Sequence, residues 1–282
     1  MSTEIVTPFL GYYLCDHYVG RENMKLVKPE ATDMLRVGTI SVDAVRPFDK
    51  IYVQVDFFDW FFHFVFNRIK VPFVLITGQY EFPQLTRSPL TDTVLQSKLL
   101  VAWFSQNPIA DYSGHQKYHA FPYGIINHKE YAEAYRAYNR AGANKPVNVG
   151  LLHINPVTNP HRHELRPTPG RLPCKEFYEQ LQQCKYVISP AGDRDDCYRH
   201  YEAIGLGCIP ISNVGRQYVE LFGDNMCYAE SVRDMDKLLD NKGAQSQLEM
   251  AWHEPCRDLV LVDYWIKRVQ GIVGSSIASH FQ

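Results

Sequence analysis

Blocks of apolar residues separated by polar stretches recur along the whole chain, and their periods predict a mixed α/β protein in two halves. In the first half PFLGYYLCDHY (8–18) predicts a strand, and so does KIYVQVDFF (50–58), which alternates and is rich in β-branched residues. DWFFHFVFNRI (59–69) predicts a helix with Asp59 as its N-cap and aromatic residues filling the core. PFVLITGQ (72–79) is a continuous apolar run reaching a glycine, the pattern of a strand buried on both faces, and LLVAWFSQN (99–107) repeats it. Strand, helix and strand in that order predict parallel crossover units. NHKEYAEAYRAYNRA (127–141) predicts a polar surface helix stopped at Gly142, and ANKP (143–146) a hinge.

The second half opens on a strand, VNVGLLHIN (147–155), and continues in a loop rich in Pro, His and Arg, NPVTNPHRHELRPTPGRLP (155–173). Loops of that length in compact domains are often functional. A helix in KEFYEQLQQC, a strand in KYVISP, the loop AGDRDD, a helix in CYRHYEAIGLG and a strand in CIPIS follow. In DLVLVDYWIKRVQGIV (258–273) Leu259, Val262, Trp265, Ile266, Val269 and Ile272 share one helical face. The expected domains are 1–145 and 146–258, with a helix in 259–282 packing back on the first.

The 282 residues include 29 basic and 31 acidic side chains, a net charge of −2, and are 45% hydrophobic. That supports a packed core and argues against disorder. The lack of a basic surplus argues against a dedicated nucleic-acid binder. No stretch reaches the ~18 uncharged apolar residues that span a bilayer. The most apolar region, Phe57 to Ile76, is broken by Asp59, His63, Arg68 and Lys70. The start lacks a basic segment followed by an apolar one, so no secretory leader is expected. Seven scattered cysteines predict reduced thiols in the cytoplasm.

The chemistry concentrates in CKYVISPAGDRDDCYRHYEAIGLGCIPIS (184–212). Its loop follows the carboxyl end of a strand, where open α/β sheets bind ligands, and Asp195 or Asp196 is expected to cap the helix. The helix N-terminus offers orphan N–H groups and partial positive charge, which suit a phosphate. Arg199 and Glu202 stand three residues apart and share a face. A guanidinium forks onto diphosphate oxygens, and a carboxylate accepts from two neighbouring ribose hydroxyls. The plainer alternative is an ordinary crossover helix whose Arg199 and Glu202 pair with each other. Asp193-Arg194-Asp195 has the D-x-D form that holds a hard cation against a diphosphate, but it directly precedes a helix that already supplies an arginine and reads as capping and loop structure. His153, His161 and His163 lack zinc-site spacing, and their expected role is donation to a diphosphate or sugar, or plain solvent exposure. The marks of P-loop NTPases, α/β-hydrolases and dinucleotide dehydrogenases are missing from the sequence.

This segment resembles the donor-binding motif of the exostosin-like glycosyltransferases, which runs from an apolar strand ending in Pro through a Gly-containing loop to S-P-R-x-x-E-A-I-x-x-G-C-I-P-V. Here stand Ser189-Pro190, Gly192, R-H-Y-E-A-I from Arg199 to Ile204, and Gly207-Cys208-Ile209-Pro210-Ile211. Cys197-Tyr198 replaces the family's Ser-Pro. Upstream, VGLLHIN, the loop with Arg162 and Arg166, and EFYEQLQQCKYVISP stand where the family has a strand, an arginine loop and a helix. The likeness covers about residues 147–215. In the first half FVLITGQYEFP, WFSQN and FPYGI are similar to landmarks in the acceptor domains of viral, algal and microbial exostosin-like proteins.

The resemblance implies a GT-B architecture, with two Rossmann-like domains facing across a cleft. It also implies inverting transfer of a sugar from a UDP-sugar to a hydroxyl of an acceptor glycan, with no metal or other cofactor. Arg162, Ser189, Gly192, Arg199, Glu202 and His153 would bind the donor. Glu81 and Asp56 are the candidates for the base that deprotonates the acceptor, with Asp59, Asp16 and His17 also at strand ends. Among the family's donors, xylose suits a pocket with no obvious extra basic residue for a uronate. Without the Golgi anchor of eukaryotic exostosins, the chain fits a soluble viral or microbial enzyme acting in the cytoplasm. The alternatives are a non-catalytic carbohydrate-binding protein on this scaffold and a metal-dependent GT-A transferase using Asp193 and Asp195.

Overall fold

The computed structural model describes residues 4–21, 37–38, 40–78, 85–106, 108–126, 128–138 and 145–280. The expected helix stop at Gly142 and half of the expected hinge, residues 143 and 144, lie outside them. The chain is mixed α/β and divides into two compact units, one of Met1–Thr7 and Tyr123–Trp265, the other of Pro8–Pro122 and Ile266–Gln282. Among the described residues no helix is long and apolar enough to cross a membrane.

The second of these units is built on a six-stranded sheet. Its strands are β1 (His17–Arg21), β2 (Val37–Gly38), β3 (Lys50–Gln54), β4 (Phe73–Gly78), β5 (Leu100–Ser105) and β6 (Tyr118–Ala120), in the order β2-β1-β3-β4-β5-β6. β2 runs antiparallel to β1, and the other neighbours are parallel. β4 and β5 are buried at every residue, as expected of strands covered on both faces. Ile51, Val53, Leu75 and Trp103 pack with Phe58 and Phe61 of the helix Phe58–Phe64, and Phe58 stacks on Trp103 with ring centroids 5.5 Å apart. Polar side chains inside form a chain of bonds: Trp103 Nε1 donates to Thr77 Oγ1 (2.9 Å), which donates to Ser105 Oγ (3.0 Å).

Several expectations change in this unit, and the strand expected over 50–58 stops at Gln54. Residues 8–18 do not form one strand; a short helix, Leu10–Leu14, precedes β1. Gly11 of that helix lies against the sheet so closely that a Cβ would come within 2.8 Å of Tyr52 and Ile76. Residues 10–14 therefore pack onto β3 and β4, and only His17 and Tyr18 of the run join the sheet, beside β3. Asp59 is not the N-cap: the cap is Phe57, without a side-chain bond, and Asp59 stands in the first turn, where its charge favours the helix dipole. Phe58 and Phe61 are buried, but Phe64 is turned outward.

The other unit holds β7 (Val147–Gly150), β8 (Cys184–Ile188), β9 (Ile209–Ser212) and β10 (Cys227–Tyr228), all parallel, in the order β10-β9-β8-β7. The six-stranded sheet reverses its order at β1, between the antiparallel β2 and the parallel β3, whereas among the described residues the four-stranded sheet shows no such reversal, the feature that opens a crevice in doubly wound sheets. The strand expected over 147–155 stops at Gly150. Residues 151–173 then run as a loop with two 3-10 turns, Pro156–Thr158 and Pro160–Glu164, and β7 is left at the edge of its sheet. Glu4–Val6 close the unit from the far end of the sequence: Val6 N donates to Val260 O, Val6 O accepts from Ile125 N, and Val262 N donates to Glu4 O, each at 2.9 Å.

The helix Tyr198–Gly205 is buried continuously from His200 to Gly205. Cations meet its carbonyl end, where the dipole favours them. Arg257 Nε donates to Gly205 O (2.7 Å), and Lys145 Nζ donates to Leu206 O (3.3 Å) and to Gln182 O (2.8 Å) near the end of the helix Cys174–Gln183. Arg257 also lies over the rings of Tyr135 and Tyr138, at 4.5 and 4.1 Å from their centroids. Gly207 takes φ +71°, which ends the helix as the sequence pattern requires.

Gly205 keeps the helix slim where it meets Tyr131 and Val260. A Cβ there would overlap Tyr131 Oη and lie 2.8 Å from Val260 Cγ2. Tyr131 Oη donates to the carbonyls of Tyr201 (3.3 Å) and Glu202 (3.2 Å), so it cannot retreat without losing both. Overpacking of this kind costs about 1–3 kcal/mol, against a gain of up to about 1 kcal/mol for alanine over glycine in a helix. Gly205→Ala is therefore expected to be net destabilising, by about 1–2 kcal/mol in urea unfolding; an unchanged or raised midpoint would show that Tyr131 moves freely.

Candidate functional site

A cavity of about 410 Å³ lies in the four-stranded unit, walled by the loop after β7, the start of the helix Cys174–Gln183 and the start of the helix Tyr198–Gly205. His153, Asn155, Thr158 and Arg162 line it from the loop, Arg171 from the loop's end. Cys174, Phe177 and Tyr178 face it from one helix, and Cys197, Tyr198, Arg199 and Glu202 from the other.

The N-cap of the second helix is Cys197, not Asp195 or Asp196. Its side chain accepts from the His200 backbone N–H, and its own N–H donates to His200 Nδ1 (3.2 Å). That leaves the His200 proton on Nε2, which donates to Ser189 O (3.0 Å), with Ser212 Oγ 3.1 Å away. The aspartates are occupied elsewhere. Asp196 is buried and accepts from Tyr201 Oη (2.7 Å), and Asp195 accepts from Gln217 Nε2 (2.9 Å). Burial would raise the Cys197 thiol pKa, but His200, Arg162 and Arg199 outweigh it and bring it below the ordinary thiol value.

Arg199 and Glu202 both reach the cavity and do not pair with each other. Arg199 Nη2 donates to the His153 carbonyl, the guanidinium lies 5.2 Å from the Phe177 ring centroid, and Nε is buried without a partner. Burial lowers its pKa. Glu202 is 8% exposed and accepts from Tyr178 Oη (3.0 Å). Burial raises its carboxyl pKa to about 7, against the lowering pull of Arg199 and of the Tyr178 bond.

The other expected donor residues have distinct placements. Arg162 lines the cavity but braces the walls: Nε donates to Ala191 O (2.9 Å), Nη2 to Pro190 O (2.9 Å), and Nη1 to Asn155 O (3.0 Å) and Thr158 Oγ1 (2.5 Å). Arg166 is tied to Asp236 and Asp240 and does not line the cavity. His153 lines it, with Nδ1 3.1 Å from Pro169 O. Ser189 and Gly192 are buried and act through the backbone, Ser189 N donating to Ile211 O (2.9 Å) and Gly192 O accepting from Asn159 Nδ2 (2.8 Å). A Cβ on Gly192 would sit 3.2 Å from the Cys197 Cβ, so this glycine lets the loop close on the cap. Arg171 and Tyr198, which the sequence reading did not weigh, both line the cavity and are exposed. Arg171 is a spare cation there, which removes the ground for preferring a neutral sugar.

The candidate bases belong to the six-stranded unit. Glu81 lies outside the described residues. Asp56 is exposed in the 3-10 turn Val55–Phe57 that follows β3, and Asp59 is exposed in the next helix. Asp16 pairs with Lys50 Nζ (2.6 Å), and His17 Nε2 meets Asp49 Oδ2 (2.7 Å). Burial would raise the Asp16 carboxyl pKa, but its bonds to Lys50 outweigh this and hold it below its ordinary value, which disfavours it as a base. Asp193 is exposed and accepts from the Arg194 N–H (2.9 Å). Among the described residues no three His, Cys, Asp or Glu side chains converge as a metal site, and all seven cysteines are free thiols. No protein-family model and no curated protein matches the chain.

The carboxyls of Glu202 and Asp196 are both raised to about 7 by burial, from ordinary values of 4.5 and 3.8. Between those limits the folded chain keeps protons that the unfolded chain has released, so rising pH favours unfolding over that window. The contribution of these two carboxyls to stability is therefore expected to fall from about pH 4.5 to about pH 7, and Glu202→Gln is expected to remove part of that fall. Urea unfolding at a series of pH values checks this; parallel profiles for the two proteins would contradict it.

Proposed function

We propose that the cavity binds a UDP-sugar and that the chain is an inverting glycosyltransferase of exostosin-like, GT-B type, moving that sugar to a hydroxyl of an acceptor glycan. The observation that carries this reading is that Arg199 and Glu202 open onto one cavity without pairing with each other. A guanidinium and a carboxyl one helical turn apart suit a diphosphate and a ribose diol respectively. Arg171 adds positive charge, and Arg162 fixes the loop that carries the helix N-terminus.

In this reading the acceptor oxygen attacks the anomeric carbon, the bond to the diphosphate breaks, and the proton passes to a base for which Glu81 and Asp56 are the candidates. Negative charge grows on the departing UDP, and Arg199 with the helix N-terminus stabilises it. The ionised form of Glu202 is the one that accepts from ribose hydroxyls, so UDP affinity rises as pH increases through about 7.

A calorimetric screen of UDP and a UDP-sugar panel that includes the xylose and glucuronate forms tests the reading. Arg199→Ala is expected to abolish measurable UDP binding and to cost on the order of 2.7–4 kcal/mol in the transition state, as removal of one oxyanion donor does. Asp56→Asn is expected to keep UDP binding and lose turnover, and turnover is expected to survive EDTA. Wild-type protein that binds no UDP would overturn the proposal, and binding without transfer to any glycan would favour a carbohydrate-binding protein on the same scaffold.

A further inference from the structure

We propose that Tyr198 is the platform for the transferred sugar, its exposed ring meeting the apolar C–H face of a pyranose held beyond the diphosphate. This rests on reading the cavity as a UDP-sugar site. Tyr198 is the first residue of the helix Tyr198–Gly205, lines the cavity and is 41% exposed, so part of its ring is accessible from the cavity side.

The ring is held in place. It stacks on Tyr123 with centroids 5.6 Å apart and planes 27° from parallel. Tyr123 is itself buried and lies 4.1 Å from the buried Arg194 guanidinium, and its backbone N–H donates to Tyr201 Oη (3.0 Å), which donates to Asp196 (2.7 Å). A ring fixed from behind loses little freedom when a ligand meets its outer side.

Position along the helix decides which part of the ligand it meets. Glu202 lies four residues further on, about 6 Å along the axis at about 1.5 Å per residue. Helical side chains lean toward the N-terminus, so the Tyr198 ring covers the region ahead of the first turn. With the ribose at Glu202 and the diphosphate at Arg199 and the helix N-terminus, the next group outward is the sugar. A nucleobase would extend from the ribose in the opposite direction.

Titration calorimetry of wild type, Tyr198→Ala and Tyr198→Phe with UDP, UDP-xylose and UDP-glucose tests the assignment. The alanine variant is expected to bind UDP as wild type does and to lose about two- to tenfold in affinity for the UDP-sugar that wild type prefers, the scale of one aromatic stacking contact. The phenylalanine variant is expected to retain that affinity. Equal losses for UDP and UDP-sugar would place a nucleobase on the ring and overturn the inference, as would no loss for either. Wild-type protein that binds no UDP would bring down the nucleotide reading itself, a result visible before any Tyr198 variant is measured.

Discussion

Continuous burial of one short helix is the constraint on which the four-stranded unit depends. From His200 to Gly205 the helix Tyr198–Gly205 has almost no contact with water, although four consecutive side chains from Arg199 to Glu202 carry polar groups. Buried polar groups without partners are costly, so each of these side chains has an assigned bond. His200 is held by Ser189 and the cap, Tyr201 by Asp196, Glu202 by Tyr178 and Arg199 by the His153 carbonyl. Lys145 and Arg257 take carbonyls at its other end. The same bonds aim Arg199 and Glu202 into the cavity, so packing and candidate chemistry share one network.

That network explains which parts of the fold and the cavity were legible in the sequence. The β8 strand, the helix after it and the stop at Gly207 follow from local pattern, because apolar periodicity and a positive-φ glycine act over a few residues. The grouping of Arg199 with Glu202 follows from helical spacing. The cap does not: aspartate outranks cysteine in intrinsic preference, but Tyr201 and Gln217 engage Asp196 and Asp195, and the cap falls to Cys197. The role of Arg162 as a brace was equally hidden, since the carbonyls it meets lie about thirty residues away.

Elsewhere the missing information was also long-range. Residues 8–18 look like a strand in isolation, but the fit of Gly11 against Tyr52 and Ile76 turns part of the segment into a helix. Residues 155–173 read only as a loop in sequence, yet Asn155 and Thr158 accept from Arg162 and Asn159 donates to Gly192. The i, i+4 relation of Tyr198 to Glu202 was a signal that could have found the exposed ring.

The bonding of Glu4–Val6 has a consequence for how the chain comes off the ribosome. Val6 is clasped by Ile125 on one side and Val260 on the other, and Glu4 meets Val262, so its partners emerge long after it does. Domains generally fold as units during synthesis. Here, however, Glu4–Val6 must wait for residues 125 and 260–262 before their places exist. A fragment cut at the boundary near residue 122 would lack that clasp, so the two halves of this molecule are not separable by a single scission.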